Sequence, residues 1–390
     1  MALCIVLLTM LDPPTVPWGG GDYVQYHVAW ELLFSGQNPY DHELAGPKQV
    51  YYGGSEPMKM FAPAWSMLPS LPLAGLTFSQ AVIVNIVINV LLLIFVALCW
   101  MRLLFPGQPS YLPIAVITLP LWLPCISMVA MGQISAWPLV GFTGWLYCKI
   151  HRRPVPAGLF LALTIIKPHL GLLPGVFAGI YSLRHFQWKT LLAFTLAVLA
   201  ATVLMMWLRP TIWIDYWDAL HSGVSPTQIR TATFDGWGRY HFGQAIRYVS
   251  WGLWGIALLL AALAGWRCPR ISAQREGDTS RSSAEETLVT WSALICTASI
   301  AFVPYAFSMD FVFMLPCFIL ALGAWLRRDR YWQFALVGWL TLELCLVTGV
   351  LNEWGEYQYW FIPWLGLLMT IVMLHRRRLD CEKPNTTVMA

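Results

Sequence analysis

Long apolar runs separated by short polar segments form the main pattern of this chain. Runs such as 82–100 and 191–208 are long enough to cross about 30 Å of hydrocarbon. Their residues do not alternate between polar and apolar with period two, as the strands of a transmembrane barrel would. The pattern predicts an all-α, polytopic integral membrane protein of about twelve membrane segments. The predicted segments are residues 2–12, 77–104, 111–130, 134–149, 156–167, 169–183, 189–208, 248–266, 287–304, 311–326, 332–351 and 358–374.

The composition agrees with a membrane protein. Of the 390 residues, 58% are hydrophobic and 11% are charged, whereas soluble domains carry about 25% charged residues. The chain has no basic cluster interleaved with aromatic residues, so we expect no nucleic-acid partner. The nine cysteines form no CxxC pair and no cluster with ligand spacing. We therefore predict no metal site and no cofactor, and leave a divalent cation open.

The positive charges predict the orientation of the chain. All but seven of the 24 lysines and arginines fall on one side of the predicted spans, which is therefore predicted to be cytoplasmic. The seven on the other side are Lys48, Lys59, Lys167, Arg209, Arg230, Arg239 and Arg247. We predict one membrane domain over residues 1–390. It has extracytoplasmic loops at 13–76 and 209–247, a cytoplasmic linker at 268–286 and a cytoplasmic tail at 375–390.

The same charges predict a broken hairpin around Lys167. Arg153 and Arg184 both belong to the predicted cytoplasmic side, yet only 30 residues separate them. The chain must enter the membrane and return within that length, and Pro168 disfavours helix at Lys167. Two half-length helices that meet at Lys167 satisfy both facts. A single kinked span is the alternative, and it would invert every later loop.

The N-terminal region carries the first candidate for chemistry. Residues 1–11 are apolar but too short for a full span, and we interpret them as a first helix whose N-terminal part is missing from this chain. The sequence Gly-Gly-Gly-Asp-Tyr-Val-Gln-Tyr-His follows at 19–27 and places Asp22 just beyond that helix. Tyr26 and Trp30 follow at roughly helical spacing, which predicts a short amphipathic helix along the membrane, with Glu31 on it. Aromatic faces and a carboxylate suit a sugar. A structural helix N-cap is the alternative role for Asp22.

Further candidates lie along the chain. Lys167 is an ionisable residue at the tip of a membrane hairpin. Its candidate partners are a phosphate and Asp310, and the alternative is that its side chain snorkels to the surface. Arg239 and Arg247 belong to an aromatic and cationic segment that either holds a lipid phosphate or anchors the chain at the interface. Residues 36–41 indicate a turn, and a glutamine in the position of Gln133 usually satisfies a neighbouring backbone group. The chain has no nucleotide-binding motif, so an outer-face enzyme would need an activated donor carried by the membrane.

Several short motifs occur together in one order along the chain. They are Gly-Gly-Gly-Asp22-Tyr-Val-Gln-Tyr26-His, Gly36-Gln-Asn38-Pro39-Tyr40-Asp41, a Phe-Ala-Pro-Ala segment, Gly132-Gln133, Lys167-Pro168, Gly243-Gln244-Ala-Ile-Arg247 and Ser308-Met-Asp310. In this order they resemble glycosyltransferase family 87, in the multi-spanning GT-C class. Members of that family include polyprenyl-phosphate-mannose-dependent α-mannosyltransferases.

The resemblance implies a function and a set of site residues. Asp22 corresponds to the essential acid in the first outer loop of GT-C enzymes and would be the general base of an inverting transfer. Lys167, Arg239 and Arg247 would steady the leaving lipid phosphate, and Asp310 would be a second acid. The implied substrate-binding set is Tyr26, Asn38, Tyr40, Gln133, Lys167, His169, Arg239, Arg247 and Asp310.

The sequence therefore predicts a membrane hexosyltransferase, with mannose as the favoured sugar. The predicted donor is a polyprenyl-phosphate sugar, and the predicted acceptor is a lipid-linked or cell-envelope glycan on the extracytoplasmic face of a prokaryotic plasma membrane. One alternative is a lipid-linked-sugar flippase or another transporter, for which we would expect repeated halves and charges along a midplane path. Another is an envelope polysaccharide polymerase or ligase, for which we would expect a more arginine-rich outer loop.

Overall fold

The computed structural model describes residues 20–53, 57–222, 231–271, 283–327, 332–351 and 356–382. All regular elements in these ranges are helical, which confirms the predicted all-α class. The α-helices are α1 (Tyr23–Phe34), α2 (His42–Tyr51), α3 (Phe78–Leu104), α4 (Tyr111–Thr118), α5 (Leu123–Met131), α6 (Ala136–Ile150), α7 (Pro154–Ala162), α8 (Pro168–Arg184), α9 (Trp188–Leu208), α10 (Ile212–His221), α11 (Phe234–Phe242), α12 (Ile246–Arg267), α13 (Ser283–Phe302), α14 (Leu315–Arg327), α15 (Trp332–Leu351) and α16 (Phe361–Glu382). Short 3-10 helices occupy Ala64–Leu73, Leu119–Leu121, Leu163–Ile166, Ser308–Met314 and Glu356–Tyr359.

Fewer helices qualify as membrane spans than the sequence predicts. Five are long and apolar enough by length and composition: Phe78–Leu104, Trp188–Leu208, Ile246–Arg267, Ser308–Arg327 and Tyr357–His375. The pair Tyr111–Leu121 and Leu123–Met131, bent by 64°, makes a sixth if it is one span. The count of about twelve is not confirmed, because several predicted segments are short helices, such as α6 with 15 residues and α8 with 17. The predicted segment 2–12 lies outside the described residues.

The predicted break at Lys167 is present. The 3-10 helix Leu163–Ile166 ends before it, Lys167 has the non-helical angles φ −130° and ψ 82°, and α8 begins at Pro168. Proline disfavours helix at the residue that precedes it, so the break follows directly from the sequence. The Thr190 hydroxyl donates to the Pro154 carbonyl at 3.0 Å. This bond brings the beginnings of α7 and α9 together at one end of the bundle, so α8 returns towards the end where α7 started.

Gly171 allows the two half-length helices to meet closely. It lies in the first turn of α8, against the 3-10 turn that precedes Lys167. A Cβ atom on Gly171 would lie 1.9 Å from the Thr164 carbonyl oxygen and 2.7 Å from its carbonyl carbon. Because these are backbone atoms, they cannot rotate out of the way, and only glycine fits here.

The helix that follows Asp22 is packed on most of its surface. Nine of the twelve residues of α1 are buried. The Trp30 indole N–H donates to the Met67 carbonyl at 3.1 Å and to the Ser70 hydroxyl at 2.9 Å, both in the 3-10 helix Ala64–Leu73. The predicted short helix is present, but it is not amphipathic, because protein covers most of its surface.

Candidate active site

Asp22 lies where the start of α1 meets the end of α5. Its backbone N–H donates to the Met131 carbonyl at 2.7 Å. The approach is close, because a Cβ on Gly21 would lie 3.1 Å from the Met131 methyl group. Asp22 occupies the N-cap position of α1, but its side chain makes no capping hydrogen bond. Helix capping, the structural alternative for this carboxylate, is therefore not what it does.

Gln133 connects Asp22 to Lys167. Its side-chain amide donates to Asp22 Oδ2, and its amide oxygen accepts from Lys167 Nζ at 3.0 Å. A lysine ammonium can only donate, so the oxygen of the amide must face Lys167 and its NH₂ must face the carboxylate. The two contacts thus fix the orientation of the amide and require an acceptor oxygen on Asp22.

Lys167 is buried and fully engaged. Besides Gln133, its ammonium donates to Ser135 Oγ at 2.9 Å and to Asp310 Oδ1 at 2.6 Å. An ammonium has three donors, and these three acceptors match them. The side chain is 10% exposed, which rules out snorkelling to the surface. Of the two partners considered for Lys167, the structure pairs it with Asp310.

Asp310 anchors the far side of this network. It is fully buried at the start of the 3-10 helix Ser308–Met314. Its Oδ2 accepts from the Phe307 backbone N–H at 3.1 Å, and its Oδ1 also accepts from the Ser135 hydroxyl. Asp22, Gln133, Ser135, Lys167 and Asp310 therefore form one hydrogen-bonded cluster, which we call the Asp22 cluster. With two carboxylates and one ammonium, it carries a formal charge of −1.

Three aromatic side chains lie beside the Asp22 cluster. Tyr26 is 3% exposed and lies within electrostatic range of Asp22 and Asp310. The His169 ring meets the Tyr305 ring edge-on, with centroids 5.3 Å apart. Burial, and then the charge of Asp310, raise the pKa of Tyr305 well above its ordinary value. Burial, and then the charge of Asp22, raise the pKa of Tyr26 in the same way, so both phenols stay protonated and able to donate.

The sequence of this chain matches one known family. The model of glycosyltransferase family 87 matches residues 63–298, which is more than half of the chain. The chain belongs to glycosyltransferase family 87. No curated protein and no solved structure gives a significant match. As a family 87 member with several membrane-capable helices, it is a membrane glycosyltransferase.

The region that matches family 87 contains only part of the Asp22 cluster. Gln133, Ser135 and Lys167 lie inside residues 63–298, whereas Asp22 and Asp310 lie outside. The three inner residues come from the start of α6 and the tip of the broken hairpin. The two carboxylates come from the sequence on either side of the matched region. The cluster therefore joins three separate parts of this family 87 chain.

Other predicted site residues make contacts of their own. The Asn38 side-chain oxygen accepts from the Tyr40 backbone N–H at 2.9 Å, and the Tyr40 hydroxyl donates to the Ala62 carbonyl at 3.0 Å. The first bond lies within the turn at 36–41, and the second joins that turn to Ala62. Arg239 donates to Asp235 at 2.6 Å within α11. Arg247 is half-buried near the start of α12, and within the described ranges no hydrogen bond or ion pair connects it to Asp22 or Lys167.

Ser135 and Tyr305 were not predicted as site residues of this family 87 chain. Ser135 bonds to both Lys167 and Asp310, and Tyr305 packs against His169. The available signal was proximity in sequence, because each lies within five residues of a predicted site residue. Among the described residues, no three His, Cys, Asp or Glu side chains are grouped in a way that would hold a metal ion.

Proposed function

We propose that this family 87 glycosyltransferase moves a hexose, with mannose as the favoured sugar, from a polyprenyl-phosphate carrier to a glycan acceptor. The acceptor is a lipid-linked or cell-envelope glycan, and the reaction takes place on the extracytoplasmic side of a prokaryotic plasma membrane. The observation that carries the proposal is the Asp22 cluster. The Asp22 carboxylate is 8% exposed, and the Gln133 amide connects it by hydrogen bonds to the buried Lys167–Asp310 ion pair. The positive-inside pattern assigns this end of the bundle to the outer side.

Asp22 is the general base in this proposal. An acceptor hydroxyl within hydrogen-bonding distance of Asp22 loses its proton to the carboxylate as its oxygen attacks the anomeric carbon. The bond from that carbon to the phosphate oxygen breaks, and polyprenyl phosphate leaves with the electron pair. The acceptor attacks from the side opposite the phosphate, so the anomeric configuration inverts. Gln133 supports this role because its NH₂ donates a hydrogen bond that orients the carboxylate, while the amide does not protonate it.

Lys167 acts as a positioning residue. Its three donors are occupied by Gln133, Ser135 and Asp310, so contact with a lipid phosphate would require it to exchange one of them. Its ion pair with Asp310 instead holds the Gln133 amide oxygen and, through the amide, the Asp22 carboxylate. Arg247 stays the candidate for the leaving phosphate, because Arg239 is already paired with Asp235.

The aromatic side chains beside the cluster support a sugar as the transferred group. Tyr26 and Tyr305 each combine an apolar ring face with a protonated hydroxyl, which suits the C–H faces and the hydroxyls of a hexose. His169 Nε2 is buried and has no hydrogen-bond partner among the described residues. An unsatisfied buried nitrogen costs free energy, so a sugar hydroxyl in contact with it would gain a favourable bond.

The test is transfer in a defined membrane. The full chain is reconstituted in nanodiscs with labelled polyprenyl-phosphate mannose and a lipid-linked glycan fraction, and the products are identified by mass spectrometry. We expect a mannosylated product with inverted anomeric configuration from the wild type, and none above background from Asp22→Asn. Asp218→Asn is the matched control, because Asp218 is an exposed carboxylate on α10.

Two outcomes would contradict the proposal. Product formation by Asp22→Asn at the rate of the control would remove Asp22 as the base. Movement of the labelled lipid across a liposome membrane without a new glycosidic bond would favour the flippase alternative. Transfer of a different hexose would change the sugar and leave the reaction class intact.

A further inference from the structure

A basic cavity lies at the end of the bundle opposite the Asp22 cluster. Its volume is about 240 Å³, and its lining residues are Lys149, Arg152, Arg153, Pro154 and Ile271. Helix α6 connects the two places, because Ser135 precedes its first residue and Lys149 lies in its last turn. At 1.5 Å per residue, the 15 residues of α6 separate them by about 20 Å. The cavity is therefore distinct from the candidate active site.

The charges of this cavity favour an anion. Three of its five lining residues are cations, and the lining residues in the described part of the chain include no carboxylate. Arg270 places another positive charge close to Lys149. Like charges that converge on a concave surface repel each other and concentrate a positive potential there. A phosphate suits such a surface, because its oxygens accept charge-assisted hydrogen bonds from several cations at once.

The turn that holds two of these cations has an unusual backbone. Arg152 has a φ of 56°, in the left-handed region. The Arg153 N–H donates to the Cys148 carbonyl at 2.8 Å, and the Arg152 N–H donates to the Lys149 carbonyl at 3.2 Å. This is the helix-ending motif that normally places glycine at the position of Arg152. A non-glycine residue in that conformation carries some backbone strain, as Phe186 does where α8 ends in the same motif.

The surroundings place this cavity at the level of lipid headgroups. The exposed aromatic residues Phe186, Trp188 and Trp266 lie at the same end of the bundle, and Arg184 lies 5.0 Å from the centre of the Trp266 ring. Aromatic residues gather where the hydrocarbon meets water, and lipid phosphates lie at the same depth. The bias of cations towards the cytoplasmic side explains their number here, but not the convergence of three of them on one cavity.

We propose that the cavity lined by Lys149, Arg152 and Arg153 binds the headgroup phosphate of an anionic phospholipid. The first turn of α7 begins at Pro154, on the rim of the cavity. Pro154 and Pro156 have no N–H, and the Ala157 N–H donates to the Arg153 carbonyl at 3.1 Å, so the attraction for an anion comes from the cationic side chains. The bound lipid fills the surface between the end of α6 and Ile271, and it stabilises the helices that meet there. Basic pockets between membrane helices on the cytoplasmic side are known to bind such headgroups.

The test measures phosphatidylglycerol binding to the full chain by native mass spectrometry, together with melting temperatures in phosphatidylcholine nanodiscs with and without phosphatidylglycerol. We expect Lys149→Gln/Arg153→Gln to weaken phosphatidylglycerol binding about thirtyfold. The matched control is Arg102→Gln/Lys189→Gln, which removes two exposed cations from the same predicted side and should change the affinity less than about threefold. Phosphatidylglycerol should raise the melting temperature of the wild type and of the control, but not that of the cavity variant.

Arg152→Gly separates binding from folding. Glycine accepts a φ of 56°, so this variant should melt in pure phosphatidylcholine at or above the wild-type temperature. It should nevertheless bind phosphatidylglycerol more weakly. Equal loss of binding in the cavity variant and the control would overturn the proposal in favour of general surface attraction. Stabilisation by inorganic phosphate, with no response to phosphatidylglycerol, would assign the cavity to a soluble anion instead.

Discussion

Replacement of Lys167 by methionine tests the energetics of the Asp22 cluster. The Lys167–Asp310 distance is 2.6 Å, which at an effective dielectric of 20 corresponds to an attraction of about 6 kcal/mol. Burial of the two ions costs several kcal/mol each, so the pair as a whole adds little net stability. Methionine leaves the fully buried Asp310 carboxylate without its counter-charge. We therefore expect Lys167→Met to lower the free energy of unfolding by about 3–5 kcal/mol.

The assay is equilibrium unfolding in mixed micelles, followed by tryptophan fluorescence. The double variant Lys167→Met/Asp310→Asn removes both charges, so it should recover about half of the lost stability or more. Arg102→Met is the control, because it removes an exposed cation and should change stability by less than about 0.5 kcal/mol. A single variant within about 1 kcal/mol of the wild type, or a double variant that loses the sum of the two single losses, would refute the reasoning.

Two further predictions concern the tip of the hairpin and the orientation of the base. Gly171→Ala should destabilise the protein by about 3 kcal/mol, because the added Cβ meets the Thr164 backbone. In the same assay the control Gly179→Ala, which lies in open space on the same helix, should be neutral or stabilising. Equal effects of the two substitutions would contradict the close packing at Gly171. Gln133→Glu places a second carboxylate next to Asp22, and like charges favour a shared proton. The acidic limb of the pH–rate profile should then move up by about one pH unit or more, and an unchanged profile would exclude Gln133 as the group that orients Asp22.

The sequence predicts the local features of this fold well. Apolar runs locate the helices, because burial in lipid and in protein both select apolar residues. Lys167-Pro168 locates the break, because the restriction that proline imposes acts on the neighbouring residue. The number of spans was not predictable in the same way. Short helices such as α6 and α7 are as apolar as full spans, and their length depends on how the chain turns at their ends.

The members of the candidate site were predictable, and of their contacts only the pairing of Lys167 with Asp310 was among the alternatives considered. Asp22, Gln133, Lys167 and Asp310 were each singled out by residue type or by the family resemblance. Their hydrogen bonds join residues that are 34 to 143 positions apart in the chain. No local pattern encodes such contacts. The same limit explains why Ser135 was missed: only its closeness in sequence to Gln133 pointed to it, and its bonds to Lys167 and Asp310 join distant parts of the chain.

The contact network also changes how two predicted residues are understood. Lys167 was predicted with a phosphate or Asp310 as its partner; the structure pairs it with Asp310, and we propose a positioning role for it. Arg239 was predicted for the same phosphate, and its pairing with Asp235 on α11 leaves Arg247 as the candidate. In both cases a carboxylate neutralises the cation: Asp310 lies 143 positions from Lys167, whereas Asp235 precedes Arg239 on the same helix. Residue type alone cannot distinguish a cation that awaits a ligand from one that already has a partner.

The most direct test of the account is the single-turnover rate of sugar transfer by Asp22→Asn, with the donor affinity measured on the same preparation. Asparagine keeps the shape of the side chain and cannot accept the proton of the acceptor hydroxyl. We predict a rate about 10²- to 10⁴-fold below the wild type, with donor affinity unchanged. A rate within a few-fold of the wild type would show that the proton goes elsewhere and would contradict Asp22 as the base.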